Sequence, residues 1–481
     1  MPRPDERVDA RTATLALSCV AAVAVASALF AATAPPRDAV APWLALIAAS
    51  AAALTLAALA LSRAVRARGV PLGAVVMLGA AALRLAPLAA PVSLSDDVHR
   101  YVWDGTLVAR GHDPYASRPV DVAHLPGLGE DALERLNSPR YYSVYPPLSQ
   151  AAFALSAVFE ELTGAPATLT LRVLFTIADL LAIGALLAAC ARLGRSRIFA
   201  LLYAWHPLAC WEVAAGGHTE ALMLPLVLLA VMAALEDRAL RAGALLGAAA
   251  SVKLTALVLA PALFVFLLRR RGPRGAAPFA LAAPAVLLAT FAPFASPTLW
   301  PHLSESLALY SRTFSFDSPV YYGARFLLGY REGWSEPVDP LLVPALGAAT
   351  LACVTLLALA QDGGPRRLAG GLAWTYLAYL VLSRVIHPWY LLAPLALGAL
   401  AGRRAVAVLA LVAPLGYLAY SMGEEPPTVL LVQSAAFVLA LVLERRARAP
   451  RHRGEVDRAP PPPVGVRASP AGEASLPSLP E

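Results

Sequence analysis

VPLGAVVMLGAAALRLAPLAAPV, residues 70–92, runs straight into SLSDDVHRYVWDG, residues 93–105. The first stretch is Ala, Leu and Val with hardly a charge in it, long enough as a helix to cross about 30 Å of hydrocarbon. The second crowds Asp96, Asp97, His99, Arg100 and Asp104 together. An oily helix that ends in a cluster of ionisable groups reads as a membrane span delivering charge to one surface of the bilayer.

The rest of the chain repeats the first half of that pattern. Of its 481 residues 58% are hydrophobic and only 15% charged, and mean hydropathy is +0.62. A water-soluble globule of this composition would expose large apolar patches. Apolar runs lie near residues 12–34, 39–62, 70–92, 169–191, 197–215, 219–235, 241–254, 255–268, 275–295, 340–360, 368–386, 387–402, 405–421 and 428–446. They lack strand alternation, so the fold class is all-α, a polytopic bundle of about 13–15 transmembrane helices with a large outer loop after the third. The balance of 39 Lys+Arg against 32 Asp+Glu gives +7. The basic residues punctuate the apolar runs and form no aromatic-interleaved surface, so nucleic acid is not an expected partner.

With a cytoplasmic N-terminus (1–11), the arginine clusters at 63–68, 192–197, 238–241, 269–274, 366–367, 403–404 and 445–446 all fall on the inner side. Pro147–Phe159 must then lie on or re-enter the outer face, being short for a span. The expected units are transmembrane helices over 12–92, a first outer loop over 93–168, a core over 169–295, a second outer loop over 296–339 and further spans over 340–446. A polar, Pro- and Arg-rich cytoplasmic tail follows over 447–481, expected to be disordered. Thr12–Ala34 reads as a retained span or, alternatively, a signal peptide whose apolar stretch is over-long. The four cysteines sit inside apolar runs without metal or disulfide spacing. No internal repeat of the kind that builds two-fold transporters is evident.

Five groupings carry candidate chemistry. Asp96 and Asp97 sit where a carboxylate meets water and lipid headgroups, with Arg100 and Tyr101 one helical turn on and Asp104 beyond. The bland alternative is an interfacial cap. GHDPYASRP (111–119) and YYSVYPPLSQ (141–150) suit a loop at headgroup level, with or without substrate contact. His206, Glu212, His218 and Glu220 lie near the end of a helical hairpin at membrane depth, where ionisable groups are expensive; a structural His218–Glu220 pair is the alternative. Lys253 is a lone cation between apolar runs and needs a counter-ion, either a distant carboxylate or an anionic headgroup. In LSRVIHPWYLLAPL (382–395), Arg384 and His387 offer donors to a phosphate. Trp389 and Tyr390 follow them, Trp389 either stacking on a sugar or sitting in an aromatic belt.

These stretches resemble the polyprenol-phosphate-dependent glycosyltransferases of the integral-membrane GT-C superfamily, in particular bacterial polyprenol-phosphate-mannose-dependent mannosyltransferases. SDDVHRYVWDG with GHDPY, YPPLSQ, YAWHPL with GGHTEALML, AAASVKLTAL and HPWYLLAPL occur in the family's order between about 93 and 395. The resemblance implies a catalytic base in the first outer loop four residues before a Tyr, which is Asp97 before Tyr101, with Asp96 close second. It implies a multi-pass protein of the bacterial cytoplasmic membrane with its site facing outward, a polyprenyl-phosphate-sugar donor, a lipid or glycan acceptor, and mannose as the sugar. The chain departs from the family in Thr219-Glu220, where Asn-Asp is common, and in His99, where Tyr is common.

A glycosidase needs two carboxylates, one to protonate a poor leaving group. A phosphate ester leaves as an anion, so one base suffices where cations hold the departing charge. Asp97 is the expected base, with Arg100, Tyr101, Asp104, His218, Glu220, Lys253, Arg384, His387 and Tyr390 around the substrate. No cofactor or metal is required, although a divalent ion bridging Asp96 and Asp97 is an alternative. The rival function is a transporter or flippase using the same charges as a substrate pathway. The segment 311–326, with Arg312 and Asp317, reads equally as sugar-binding or as packing.

Overall fold

The computed structural model describes residues 6–91, 94–125, 128–312, 314–328, 341–423 and 425–448, with residues 309–312 described by backbone only. Among them seven helices are long and apolar enough to cross a membrane, beginning with Ala10–Ala32 and Val40–Arg63 and ending with Arg404–Met422 and Pro427–Arg448. Four shorter apolar helices accompany them, Leu72–Leu88, Glu220–Leu235, Ala239–Ala250 and Pro388–Ala401. The chain is an all-α, multi-pass membrane bundle. Its lipid-facing sides keep leucines such as Leu56, Leu181 and Leu281 exposed, as a bilayer permits and water would not.

Local chemistry sets the helix ends. Asp9 caps the first helix by accepting from the Thr12 amide at 2.9 Å. That helix buries Ala16, Val20 and Val23 and is an integral layer of the bundle, with Phe30 edge-on to Trp211. Prolines break several expected spans into pieces, because each removes an amide donor. The run at 197–215 is a short turn and helix to Ala204 followed, after His206, by Pro207–Ala214. The run at 405–421 passes through a tight 3-10 segment, Ala413–Tyr417. The expected pair 255–268 and 275–295 forms Ala260–Phe291, broken at Gly272 where φ is +69°.

Three differences from the expected boundaries follow from pairing. The N-terminal residues Arg7–Val8 are a strand between Val65–Arg66 and Val70–Pro71. The last helix runs to Arg448, past the expected start of the tail; the remainder of the tail lies outside the described residues. Pro147–Thr163 is a full helix of 17 residues. It buries Ser149, Gln150 and Phe153 against the helix Asp97–Ala109 and leaves Leu155, Phe159 and Leu162 exposed, an amphipathic pattern suited to an interface.

The arginine clusters meet one another at one end of the bundle. Arg366 donates to Leu193 O, Arg192 pairs with Glu236, Arg270 with Asp237 at 2.6 Å, Arg403 with Glu444 at 3.1 Å, and Arg448 donates to Gly402 O. In the bundle core, Arg84 meets Asp179 at 2.6 Å and both are fully buried. Tyr203 donates to the same carboxylate. An isolated ion in that setting would be costly, so the three groups lock three helices together.

Candidate active site

Asp96 is the residue before the helix Asp97–Ala109, so the two carboxylates leave a helix N-terminus, where the backbone amides favour negative charge. They part company there. Asp96 forms an ion pair with Arg37, whose guanidinium lies 4.2 Å from the Tyr420 ring. Asp97 accepts from Asn137 Nδ2 at 2.9 Å and from Tyr101 OH at 3.5 Å. Tyr101 is held rigidly, stacked on Phe153 with ring centres 4.5 Å apart and edge-on to Tyr145.

Asp97 and Tyr101 line a cavity of about 430 Å³ together with Lys253, Arg384 and Tyr390. Val144, Tyr145 and Pro146 close one side, so the 141–150 stretch is part of the wall. Leu307, Val343, Leu346, Gly347 and Leu382 make the other side apolar. Five of the expected site residues, separated by almost 300 positions in sequence, thus share one space.

The counter-ion that Lys253 requires is Glu220, which is 1% exposed at its side chain. The Lys253 ammonium also stands 4.3 Å from the centre of the Tyr390 ring. Glu220 is therefore committed to Lys253, and the alternative His218–Glu220 pair gives way to a closer acid: His218 Nε2 is 3.1 Å from Glu212 Oε2. The positive φ of Gly217, +67°, turns the chain between Pro207–Ala214 and Glu220–Leu235 and brings His218 back beside the Asp97 helix. Arg172 ties the same region down, donating to Ala214 O, Pro87 O and Leu88 O within 2.8 Å.

Arg384 enters the wall from the loop after the helix Pro365–Val381, and donates to Tyr321 OH at 3.1 Å. Its segment is clasped by residues 314–318: Phe316 N donates to Arg384 O, Ile386 N to Phe316 O, and Ser318 Oγ to Ser383 O. The 311–326 stretch is accordingly packing at this point, though the Arg312 side chain lies outside the described residues. Below the clasp Asp317 accepts from Gln433, and its amide donates to Glu425 at 2.8 Å. Burial, and then Glu425, push the Asp317 carboxyl well above the usual range; burial raises Glu425 to about 7.

Other expected site residues stand back from the cavity. Arg100 and Asp104 pair at 2.8 Å, nearly fully buried. Arg100 also donates to Ser138 O, and Ser143 Oγ donates to Asp104 at 2.5 Å. They pin the loop around Ser138 and Ser143 onto the Asp97 helix and do not line the space. His387 also sits behind the wall. Trp389 is neither a free sugar platform nor a belt residue: it is buried between His218 and His387, stacked on both with ring centres 4.0 and 4.3 Å apart. Asn137, Arg172 and Arg37 are not among the residues the sequence singles out, and Glu212 stands there only as one of four ionisable groups at membrane depth. For Glu212 and Arg172 the available signal is an ionisable group within an apolar run; Asn137 and Arg37 lie in loops and carry no such signal. Among the described residues no group of three or more His, Cys, Asp or Glu side chains is placed to hold a metal ion.

A helical membrane bundle that sets one carboxylate and two cations around a partly apolar cavity has the arrangement of a membrane enzyme. Comparison with known families agrees: residues 11–269, more than half of the chain, match the family model described as alpha-(1->6)-mannopyranosyltransferase, N-terminal domain. The chain belongs to that family of membrane mannosyltransferases. Residues 219–328 also match the ALG3 protein family. Comparison with curated proteins gives no significant match.

Proposed function

We propose that the protein transfers mannose, with inversion, from a polyprenyl-phosphate-linked donor to a hydroxyl of a lipid or glycan acceptor. The reaction would take place on the outer face of a bacterial-type cytoplasmic membrane. The observation that carries this is the shared cavity, where Asp97 faces Lys253 and Arg384. The outward orientation is supported by the arginine clusters at the other end, which the positive-inside rule assigns to the cytoplasm.

In this scheme the acceptor hydroxyl lies against Asp97 Oδ2, which takes its proton as the oxygen bonds to the sugar C1. The bond from C1 to the phosphate oxygen breaks, and its electron pair leaves with the phosphate. Lys253 and Arg384 hold that charge. Tyr101 and Asn137 fix the carboxylate so that its free lone pair points into the cavity. The apolar side formed by Val343, Leu346 and Leu382 takes the start of the polyprenyl chain. The cations neutralise the phosphate, so we assign no metal a role.

The test is transfer of radiolabelled mannose from synthetic polyprenyl-phosphate-mannose in membranes carrying the wild type or Asp97→Asn, with EDTA present and absent. Transfer by the wild type, unaffected by EDTA and lost in a normally inserted Asp97→Asn, is the expected result. Full activity of Asp97→Asn would sink the base assignment. No transfer from any donor sugar would favour a transporter.

A further inference from the structure

Glu212, His218 and Asp97 form a line that connects two separate openings. Asp97 lines the large cavity. His218 is completely buried behind it, with Nδ1 4.0 Å from Asp97 Oδ2 and Nε2 3.1 Å from Glu212 Oε2. Glu212 in turn lines a different, small crevice, bounded by Pro91, Leu94, Trp211 and Ala215. Its second oxygen accepts from Tyr417 OH at 2.8 Å. The imidazole plane is stacked on Trp389; Nδ1 stands nearer Asp97 and Nε2 nearer Glu212, and both nitrogens are buried without a hydrogen-bond partner among the described residues.

We propose that His218 and Glu212 are a proton exit for Asp97, a role that rests on the transfer reaction set out above. Each turnover leaves the acceptor's proton on Asp97 while the cavity is filled by the acceptor product and the departing phosphate. That proton passes to His218 Nδ1 as the Nε2 proton moves to Glu212, and Glu212 releases it through the crevice. The base is restored without waiting for water to enter the cavity. No electrons move, and one proton enters and one leaves. The 4.0 Å step is too long for a hydrogen bond and the 3.1 Å step is not aligned as one; catalytic contacts in an unliganded site commonly tighten and align when substrate binds.

The charged and titratable groups facing this line are few. His387 stacks on Trp389, and Lys253 and Arg37 are near enough to bear on His387. Arg37 is paired with Asp96. The phenols of Tyr101, Tyr417 and Tyr420 face it as well, and the Arg172 guanidinium lies against the turn that carries His218, donating to Ala214 O. His218 and Glu212 act through Asp97 and are positioning residues: neither touches the reacting atoms.

The experiment compares wild type, Asp97→Asn, His218→Gln, Glu212→Gln and Glu212→Asp in reconstituted bilayers. Transfer from polyprenyl-phosphate-mannose to an alkyl mannoside is followed between about pH 5.5 and 9. For Glu212→Gln the expected loss in kcat is roughly tenfold to a hundredfold, with KM for donor and acceptor within about twofold and a changed pH profile. Glu212→Asp should recover part of the rate. Glu212→Gln avoids reliance on His218→Gln, which risks misfolding at a buried site. Wild-type kcat and pH profile in Glu212→Gln would overturn the exit, as would a loss confined to KM or thermal stability. Those outcomes are separable from failure of the transfer reaction itself. That failure shows as an active Asp97→Asn or an inactive wild type, and takes the exit with it.

Discussion

Lys253 and Glu220 form an ion pair in the cavity wall, with the carboxylate buried and the ammonium partly open to the space where a phosphate would lie. The carboxylate stabilises the cation in a low-dielectric setting, and the open side of the ammonium is left to bind. Replacing Lys253 by Met strands a buried charge, a change that costs about 3–5 kcal/mol in comparable pairs. Thermal unfolding in detergent should fall sharply for Lys253→Met and recover in Lys253→Met/Glu220→Gln. Donor KM should stay raised at least about tenfold in both. Recovery of donor KM along with stability would show that Lys253 only balances Glu220.

Asp96 and Asp97 are adjacent in sequence but differ in their partners. Asp96 is tied to Arg37, while Asp97 lines the cavity. General-base removal typically lowers rates about 10²–10⁴-fold, and that range is expected for kcat of Asp97→Asn. Asp96→Asn should lose less than about tenfold, since a partly exposed pair contributes little. Initial rates at saturating donor distinguish them; equal losses would mean that the two carboxylates act together.

The bundle is legible in the sequence because a span announces itself locally, through some twenty apolar residues. Asp97 is legible for the same reason, standing at the mouth of the run 70–92. Partnerships across the chain are not. Nothing near Lys253 names Glu220, 33 positions away, and nothing near Arg384 names Tyr321, 63 positions away. The breaks at Pro207 and Ala413–Tyr417 were hidden because composition alone does not tell a continuous span from a helix interrupted inside a protein-lined interior. Arg100 and Asp104 misled in the opposite sense: their charge suggested substrate, whereas their burial makes them a clamp for the loop.

Gly105 sits where the Asp97 helix crosses Pro147–Thr163. A Cβ there would stand 2.3 Å from Phe153 O, and a helix backbone cannot yield to it as a flexible side chain could. Gly105→Ala should therefore destabilise by about 1–3 kcal/mol and lower kcat by displacing Asp97 and Tyr101. A wild-type melting temperature with unchanged kcat would mean that the two helices separate freely.

Asp317 and Glu425 make the clasp over Arg384 sensitive to pH. Both carboxyls titrate above their ordinary range, because burial opposes ionisation and Glu425 adds to the effect at Asp317. Tyr322, whose hydroxyl donates to Ser315, and Gln433 are the other groups against them. A raised folded value means that the stabilising contribution is complete at low pH. It is lost as pH climbs from the ordinary carboxylate range through about 7. Hydrogen exchange of residues 314–318 and 383–387, corrected for intrinsic rates, should be slower at about pH 6 than at about pH 8. Glu425→Gln should flatten the difference. Equal protection of the wild type at both values would remove the clasp as a pH-dependent element.

Gly347 tests where the donor's hydrocarbon lies. It is on the helix Leu342–Leu359, lines the cavity with Val343 and Leu346, and has open space where a side chain would be. A Trp at this position fills the apolar side without touching Asp97, Lys253 or Arg384. If the first isoprene units run along this face, Gly347→Trp should raise KM about tenfold or more for a long-chain donor, with a smaller effect on a donor whose lipid is only one or two units long. kcat at saturation should change little, because the bond-breaking groups are undisturbed. An equal rise for both donors would place the obstruction at the headgroup, and no rise for either would route the chain elsewhere along the bundle.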